Sequence, residues 1–157
     1  MGQRLIDVPI ESLPFVDQLS VDIAASPGAV WEALIEATGE FTSRPGGSHA
    51  ARALGCVYTE RTGEPGRIGS TIPGFVVARA VHPAVLALMG EHRFSRYALI
   101  LTVTETSADV VRLGAETRAE FPGPSGTAYR ALVIGSRGHV LATKSFLRSV
   151  RRRAERR

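Results

Sequence analysis

The sequence predicts an α+β fold in which a curved antiparallel β-sheet is wrapped around one long C-terminal α-helix. From Ser125 to about Ala154, apolar residues recur at intervals of three and four, which places them on one side of a helix. From residue 72 to 121 the sequence instead consists of runs typical of β-strands, and the last run alternates apolar with charged positions. A helix of about 28 residues would be roughly 40 Å long, enough to cover most of the sheet.

A strand and two short helices are predicted before the main part of the sheet. Apolar residues from Phe15 to Ile23 mark the strand. Ser26 is suited to cap a helix and Pro27 to occupy its first position, which predicts a helix over residues 27–37 that ends at Gly39.

The second short helix is predicted from His49 to Leu54, with Ser48 as its N-cap and Gly55 as its end. Residues 56–62 are consistent with a short strand, and residues 63–66 form a Gly- and Pro-containing turn. Residues 1–13 show no strong pattern, and we expect an extended lead-in there.

Four strands are predicted to form an antiparallel meander, because only short connections separate them. His82-Pro83, Gly90-Glu91 and residues 106–109 are the expected connections. One face of the sheet should be solvated and the other covered by the helices. The four runs are 72–81, 84–89, 92–105 and 110–121.

The composition suits a single domain over residues 1–157. The chain is 44% hydrophobic and long enough to bury a core without covalent cross-links. Cys56 is the only cysteine, which excludes an internal disulfide and a cysteine-based zinc cluster. We interpret it as a buried or half-buried thiol rather than a nucleophile.

The positive charge of the protein is concentrated in a basic C-terminal tail, residues 148–157. The chain carries a net charge of +4, and the tail holds six Arg and one Glu, which gives +5 there and −1 elsewhere. Cations are favoured at the C-terminal end of a helix, so we interpret the tail as a solvated helix end. Docking on an anionic membrane or a protein is the alternative; nucleic acid is not expected, because no aromatic residues interleave the arginines.

No apolar stretch approaches the ~18 residues that suggest a membrane-spanning helix, and the first seven residues have no apolar signal core. We therefore expect a soluble, cytoplasmic protein without stable membrane insertion, either a monomer or a homodimer.

Several stretches resemble the START-like helix-grip superfamily, also called SRPBCC. Residues 21–27, running into 30–34, are similar to the first strand and first helix of that superfamily. Residues 92–97, 119–123 and 129–135 resemble a bacterial branch whose members mostly lack an assigned activity. The resemblance implies a deep apolar cavity between sheet and long helix, which binds lipids, sterols, polyketides or hormones and in some branches catalyses cyclisation or dehydration.

The residues expected to line such a cavity are apolar or small, with a few polar groups to orient a ligand. Small residues in the last strand should leave room, as should Gly135 and Gly138 in the C-terminal helix. The two glycines suggest either close packing on the first helix or a bend that opens a ligand portal. The proposed ligand-binding residues are Phe75, Val77, Tyr97, Leu99, Leu101, Leu113, Ala115, Thr117, Tyr129, Ser136, His139 and Thr143.

The candidate chemistry is limited. His139 could act as an acid or base, although a hydrogen-bonded core histidine is the commoner outcome. Arg79 and Arg93 could hold a ligand carboxylate if they point inward. Glu91 and His92 lie together at a predicted turn, but the histidines are too scattered to indicate a metal site, and no cofactor motif is present.

The leading interpretation is a noncatalytic protein that binds a small hydrophobic or amphipathic ligand, such as a lipid or polyketide. The first alternative is a polyketide cyclase, aromatase or dehydratase on the same scaffold, with His139 or a tyrosine as the acid or base. The second is an interaction module that acts through the arginine-rich tail.

Overall fold

The protein is described here by a computed structural model that covers residues 5–157. Six antiparallel strands form one sheet in the order β1-β6-β5-β4-β3-β2. The predicted α+β meander is confirmed, because each strand from β3 to β6 pairs with the next one along the chain. The strands are β1 (Phe15–Ile23), β2 (Thr71–Ile72), β3 (Phe75–Val81), β4 (Val85–His92), β5 (Ser95–Ser107) and β6 (Val110–Glu120).

The first strand and the start of the first helix agree with the prediction. Helix α1 spans Pro27–Thr42, and the Ser26 hydroxyl accepts a hydrogen bond from the Ala29 N–H at 3.2 Å. The helix continues past the predicted end at Gly39. Gly39 is buried, but a β-carbon there would lie 3.5 Å from Pro65, an ordinary contact, so packing does not explain this glycine.

The next segment departs from the prediction at two points. Helix α2 spans Gly47–Leu54 and ends at Gly55 as expected, but Gly46 rather than Ser48 is its N-cap. Both flanking glycines adopt the left-handed conformation. The strand predicted over residues 56–62 is wrong, since only Thr62 forms a β-bridge, with Thr71.

The β4–β5 turn lies at Arg93 and Phe94, not at Gly90-Glu91 as predicted. Gly90 is part of β4 and is paired with Tyr97 of β5. A β-carbon on Gly90 would lie 2.4 Å from the Tyr97 ring and 2.1 Å from the Gly74 carbonyl oxygen. Glycine is present because the aromatic ring covers the strand, not because the chain turns.

A C-terminal helix packs on the sheet as predicted, but it is not one continuous helix from Ser125 to Ala154. The segment forms two helices, α3 (Gly123–Val133) and α4 (Gly138–Ala154), separated by a turn at residues 134–137. Arg137 adopts a left-handed φ of 57° as the N-cap of α4. Gly135 and Gly138 are exposed, so close packing on α1 does not explain them.

The main core lies between the concave face of the sheet and the helices α1 and α4. Its fully buried side chains include Ile23, Leu34, Leu113 and Val150.

A second core covers part of the opposite face of the sheet, so the prediction of one solvated face is only partly correct. Residues 5–13, predicted as an extended lead-in, form two 3-10 turns, Leu5–Asp7 and Ile10–Ser12. Their buried side chains pack on Val76, Ala87, Met89 and Ala98. Across residues 5–157, no helix is both long and apolar enough to cross a membrane.

Candidate ligand-binding cavity

A cavity of about 310 Å³ lies between the concave face of the sheet and the helices α1, α3 and α4. This volume is at the lower end of the range of small-molecule pockets. Phe41, 41% exposed, lies at its rim and meets Phe146 of α4 edge to face. The lining residues are Thr38, Phe41, Leu54, Ile72, Phe75, Leu88, His92, Ser95, Tyr97, Ala98, Leu99, Thr117, Ala119, Phe121, Tyr129, Val133, Ile134, His139, Ala142, Thr143 and Phe146.

The structure brings together seven of the twelve residues that the sequence suggested for the site. Alternation in the strands places the sheet residues of this set on the concave face, and the segment predicted as one helix supplies the others. The seven that border the cavity are Phe75, Tyr97, Leu99, Thr117, Tyr129, His139 and Thr143.

The other five lie elsewhere. Val77, Leu101, Leu113 and Ala115 are on the same face of the sheet, but they are at most 2% exposed and belong to the packed main core. Helices α1 and α4 fill that end of the concave face, so the cavity takes only the other end. Ser136 is exposed in the α3–α4 turn, where its hydroxyl is bonded to the local backbone.

The wall of the cavity is mostly apolar, and no Asp, Glu, Lys or Arg borders it among residues 5–157. Arg79 pairs with Glu11, which belongs to the N-terminal segment on the opposite face of the sheet. Arg93 is exposed, with its guanidinium 5.7 Å from the centre of the Phe94 ring. The hypothesis that either arginine holds a ligand carboxylate inside the cavity is therefore wrong.

His139 is one of the two histidines in the wall. Its Nε2 lies 2.6 Å from Asp17 Oδ2, and its Nδ1 lies 3.3 Å from the Val133 carbonyl oxygen. Both ring nitrogens thus lie beside oxygen atoms, and the Asp17 side chain can accept a hydrogen bond from Nε2–H. Asp17 Oδ1 is buried and makes no hydrogen bond with the described part of the chain.

His92 is the other histidine in the wall. It is 8% exposed, and its Nδ1 accepts a hydrogen bond from the Phe94 N–H at 3.1 Å. Burial lowers the pKa of His92, which favours the neutral imidazole. The ring lies 5.3 Å from the Tyr97 ring and 4.8 Å from the Tyr129 ring, between centroids.

The two tyrosines beside His92 differ in their hydrogen bonding. The Tyr97 hydroxyl donates to the Gly74 carbonyl oxygen at 2.7 Å, and burial raises its pKa strongly, with a contribution from Cys56. Burial also raises the pKa of Tyr129, whose hydroxyl makes no hydrogen bond within residues 5–157. The Cys56 thiol has a raised pKa for the same reason, which disfavours the nucleophilic thiolate.

Two of the residues that the sequence analysis did not assign to the site are His92 and Asp17. His92 shares a face with Leu88 and Gly90, but the incorrect turn at Gly90-Glu91 placed it at the start of the next predicted strand, 92–105, instead of at the end of β4. Asp17 has the same parity as Leu19 and Val21, which face the core, and this alternation is the signal that could have identified it.

Comparisons with known proteins establish the fold. No protein-family model and no curated protein matches the sequence. Among solved structures, truncated norcoclaurine synthase from Thalictrum flavum superposes with a TM-score of 0.54 at 12% identity, over 87% of this chain and 94% of that one. The chain has the START-like helix-grip fold.

Two further solved structures superpose on the chain to a similar extent. Protein MLL2253 from Mesorhizobium loti gives a TM-score of 0.52 at 13% identity, over 89% of this chain and 98% of that chain. Norcoclaurine synthase from Thalictrum flavum in complex with dopamine and hydroxybenzaldehyde gives a TM-score of 0.52 at 14% identity, over 94% of this chain and 91% of that chain. At these identities the similarity concerns the fold alone.

No group of three His, Cys, Asp or Glu side chains in the described range 5–157 is arranged to hold a metal ion.

Proposed function

We propose that this helix-grip protein binds a small, neutral, hydrophobic or amphipathic molecule in the cavity between the sheet and the helices α1, α3 and α4. The observation that carries the proposal is an apolar space of about 310 Å³ beside a tightly packed core. Protein interiors are normally filled to crystal density, so an apolar space of this size suits a ligand.

Burial of apolar surface would supply most of the affinity. A ligand that buries about 200 Å² of apolar area gains roughly 5 kcal/mol before the costs of association. The fold supports such a role, because a helix-grip neighbour, norcoclaurine synthase, has been solved with dopamine and hydroxybenzaldehyde. The polar contacts proposed for the ligand are Thr117, Tyr129, His139 and Thr143, all of which border the cavity.

Native mass spectrometry of the purified protein tests the proposal directly. We expect a discrete additional mass that is lost on denaturation, or uptake of the neutral fluorophore N-phenyl-1-naphthylamine by ligand-free protein. A ligand-free mass together with no uptake of the fluorophore would contradict the proposal.

Filling the cavity provides the matched variant. Thr117→Phe places a larger side chain on the concave face, where Thr117 borders the cavity, and should weaken fluorophore binding at least tenfold. Thr104→Phe makes the same change at an exposed position of β5 and should leave binding unchanged. Equal affinity in both variants would show that the fluorophore binds elsewhere.

A second candidate function is acid–base catalysis, and the short contact between His139 and Asp17 favours it. Asp17 can accept a hydrogen bond from Nε2–H, so Nδ1, whose contact with the Val133 carbonyl is longer, is the nitrogen that can take a proton from a ligand. A single imidazole can take the α-proton of a β-hydroxyketone and return a proton to the departing hydroxyl, so that the net loss is water.

The catalytic candidate is tested with an aromatic β-hydroxyketone, whose dehydration produces a conjugated enone that absorbs in the ultraviolet. Catalysis predicts that His139→Gln and Asp17→Asn lower the rate by about 10²-fold or more while substrate binding persists. Asp22→Asn is the control, because Asp22 pairs with Arg112 and is exposed. If the unmodified protein binds the β-hydroxyketone but does not dehydrate it, the catalytic candidate is contradicted and the binding function stands.

A further inference from the structure

His92 carries a hydrogen-bond donor that the protein does not use. A neutral imidazole has one donor and one acceptor nitrogen. Because Nδ1 accepts the Phe94 N–H at 3.1 Å, the proton lies on Nε2. Nε2 donates to no group within residues 5–157, although the side chain is more than nine-tenths buried at 8% exposure. A donor nitrogen without a protein partner is available to a ligand that reaches it.

His92 borders the cavity, and aromatic rings surround its imidazole. Nδ1 is turned back toward the β4–β5 turn, so the opposite edge of the ring faces away from that turn. The Tyr129 ring stacks on Phe94 with centroids 5.3 Å apart, and Phe75 meets Tyr97 edge to face at 5.2 Å. Flat, polarisable groups pack well against such faces.

The free polar groups around His92 are hydrogen-bond donors. The Tyr97 hydroxyl donates to the Gly74 carbonyl and the Ser95 hydroxyl to the Arg96 carbonyl at 3.5 Å. Among the groups in contact with these aromatic rings, the Tyr129 hydroxyl and His92 Nε2–H can therefore donate to a ligand. No Asp, Glu, Lys or Arg of residues 5–157 borders the cavity to balance a charge. A charged ligand group would lose its hydration without a counter-ion, whereas a neutral acceptor oxygen would be satisfied.

We propose that His92 donates its Nε2–H to the carbonyl oxygen of a neutral aromatic or conjugated ketone or aldehyde, and that the Tyr129 hydroxyl borders the same oxygen. This inference rests on the proposed cavity-binding function and names the class of its ligand. His92 acts here as a specificity-determining residue.

The experiment compares two neutral fluorophores with the purified protein. Prodan, a naphthyl ketone, offers the carbonyl, whereas N-phenyl-1-naphthylamine has a similar aromatic body without one. His92→Phe keeps an aromatic ring and removes the donor, so Prodan should bind about tenfold more weakly, as expected for one buried hydrogen bond. N-phenyl-1-naphthylamine should bind with its affinity changed less than twofold. His49→Phe, at an exposed position in α2, is the control and should alter neither affinity.

The outcomes separate this inference from the binding function. If His92→Phe weakens both fluorophores equally, or neither, then His92 only packs against the ligand and the inference is overturned while the cavity function stands. If the unmodified protein binds neither fluorophore, the cavity function fails and the inference fails with it. His92→Asn retains an N–H group and should restore part of the selectivity for Prodan.

Nuclear magnetic resonance of ¹⁵N-histidine protein gives a readout that needs no variant to bind ligand. We expect the spectrum of His92 to show the neutral Nε2–H form, and its Nε2 resonance to shift on addition of Prodan. The resonance is assigned from its absence in His92→Phe. The Nδ1–H form, or an Nε2 signal unmoved at saturating Prodan, would overturn the inference.

Discussion

Gly90 shows how one missing methyl group shapes the cavity. A β-carbon there would lie 2.1 Å from the Gly74 carbonyl oxygen, which accepts the Tyr97 hydroxyl, and 2.4 Å from the Tyr97 ring. We expect Gly90→Ala to displace Tyr97 and to lower the free energy of unfolding by about 1–3 kcal/mol, as overpacking does. Urea denaturation measures the change.

The control for this prediction is Gly28→Ala in the first turn of α1, where a β-carbon would have nothing within 4 Å. That variant should be neutral or gain up to about 1 kcal/mol, because alanine favours a helix. A stable Gly90→Ala protein with unchanged Prodan binding would show that the β4 backbone can give way.

His92 should also make stability depend on pH. Its pKa is lowered in the folded state by burial, so the unfolded chain takes up a proton first as the pH falls. The contribution of neutral His92 to the free energy of unfolding is therefore fully present above the pKa of the unfolded chain, near 6.5. It is lost as the pH falls from there toward the pKa of the folded protein. The free energy of unfolding is measured between pH 8 and 4 for the unmodified protein and for His92→Phe, and the difference between the two isolates the contribution of His92. A difference that does not vary with pH would contradict the prediction.

The residues of the site could be predicted only where alternation alone decided their position. Tyr97, Leu99 and Thr117 were found in this way. Leu101 and Ala115 obey the same alternation but lie in the packed core, because the positions of α1 and α4 divide cavity from core. That division depends on tertiary packing, which no local pattern records.

At the scale of elements, the break between α3 and α4 means that alanine should have opposite effects on stability at two nearby glycines. In a continuous helix, alanine at either position would stabilise the protein by about 1 kcal/mol. A β-carbon on Gly135 would lie 2.3 Å from the Ala131 carbonyl oxygen, so Gly135→Ala should instead be destabilising. Gly138 lies at the start of α4 with ordinary clearance, 3.4 Å from the Ser136 hydroxyl, and Gly138→Ala should be neutral or stabilising.

Arg137 gives an independent test of the same turn. Its φ of 57° is unfavourable for a residue with a β-carbon, by roughly 1–2 kcal/mol. Arg137→Gly should therefore raise the melting temperature, whereas in an unbroken helix it would lower it. A lower melting temperature would argue for one continuous helix in solution.

The bounds of the strands could be predicted within a few residues, since long alternating runs and short turns are local signals. The break in the last helix could not, because its apolar residues keep a helical spacing across the turn. The N-terminal 3-10 turns were missed for a similar reason: Leu5, Ile10 and Leu13 show no period and become ordered by packing on the sheet.

At the scale of the whole molecule, part of the arginine-rich tail is bound to the protein itself. Helix α1 presents Glu32, Glu36 and Glu40 on successive turns, and Arg153 and Arg157 pair with this row. The ion pairs raise the pKa of both arginines and lower that of Glu40. Arg151 pairs with Glu155 within α4 and the residue that follows it. The other three arginines, at 148, 152 and 156, are exposed and form no ion pair within residues 5–157, so they are the part of the tail available to a partner.

Two truncations separate the structural role of the tail from a docking role. Removing residues 156–157 breaks only exposed ion pairs and should lower stability slightly, with the difference disappearing at high salt. Removing residues 151–157 also takes away Ala154, which is 2% exposed, and should lower the free energy of unfolding by at least about 1 kcal/mol at any salt concentration. The unmodified protein and both truncations are then mixed with phosphatidylglycerol vesicles and sedimented. If the tail serves only to form ion pairs with α1, none of the three proteins should sediment with the vesicles. Sedimentation that the shorter truncation weakens and the longer one abolishes would instead assign the tail a docking function, because the folded cavity is present in all three proteins.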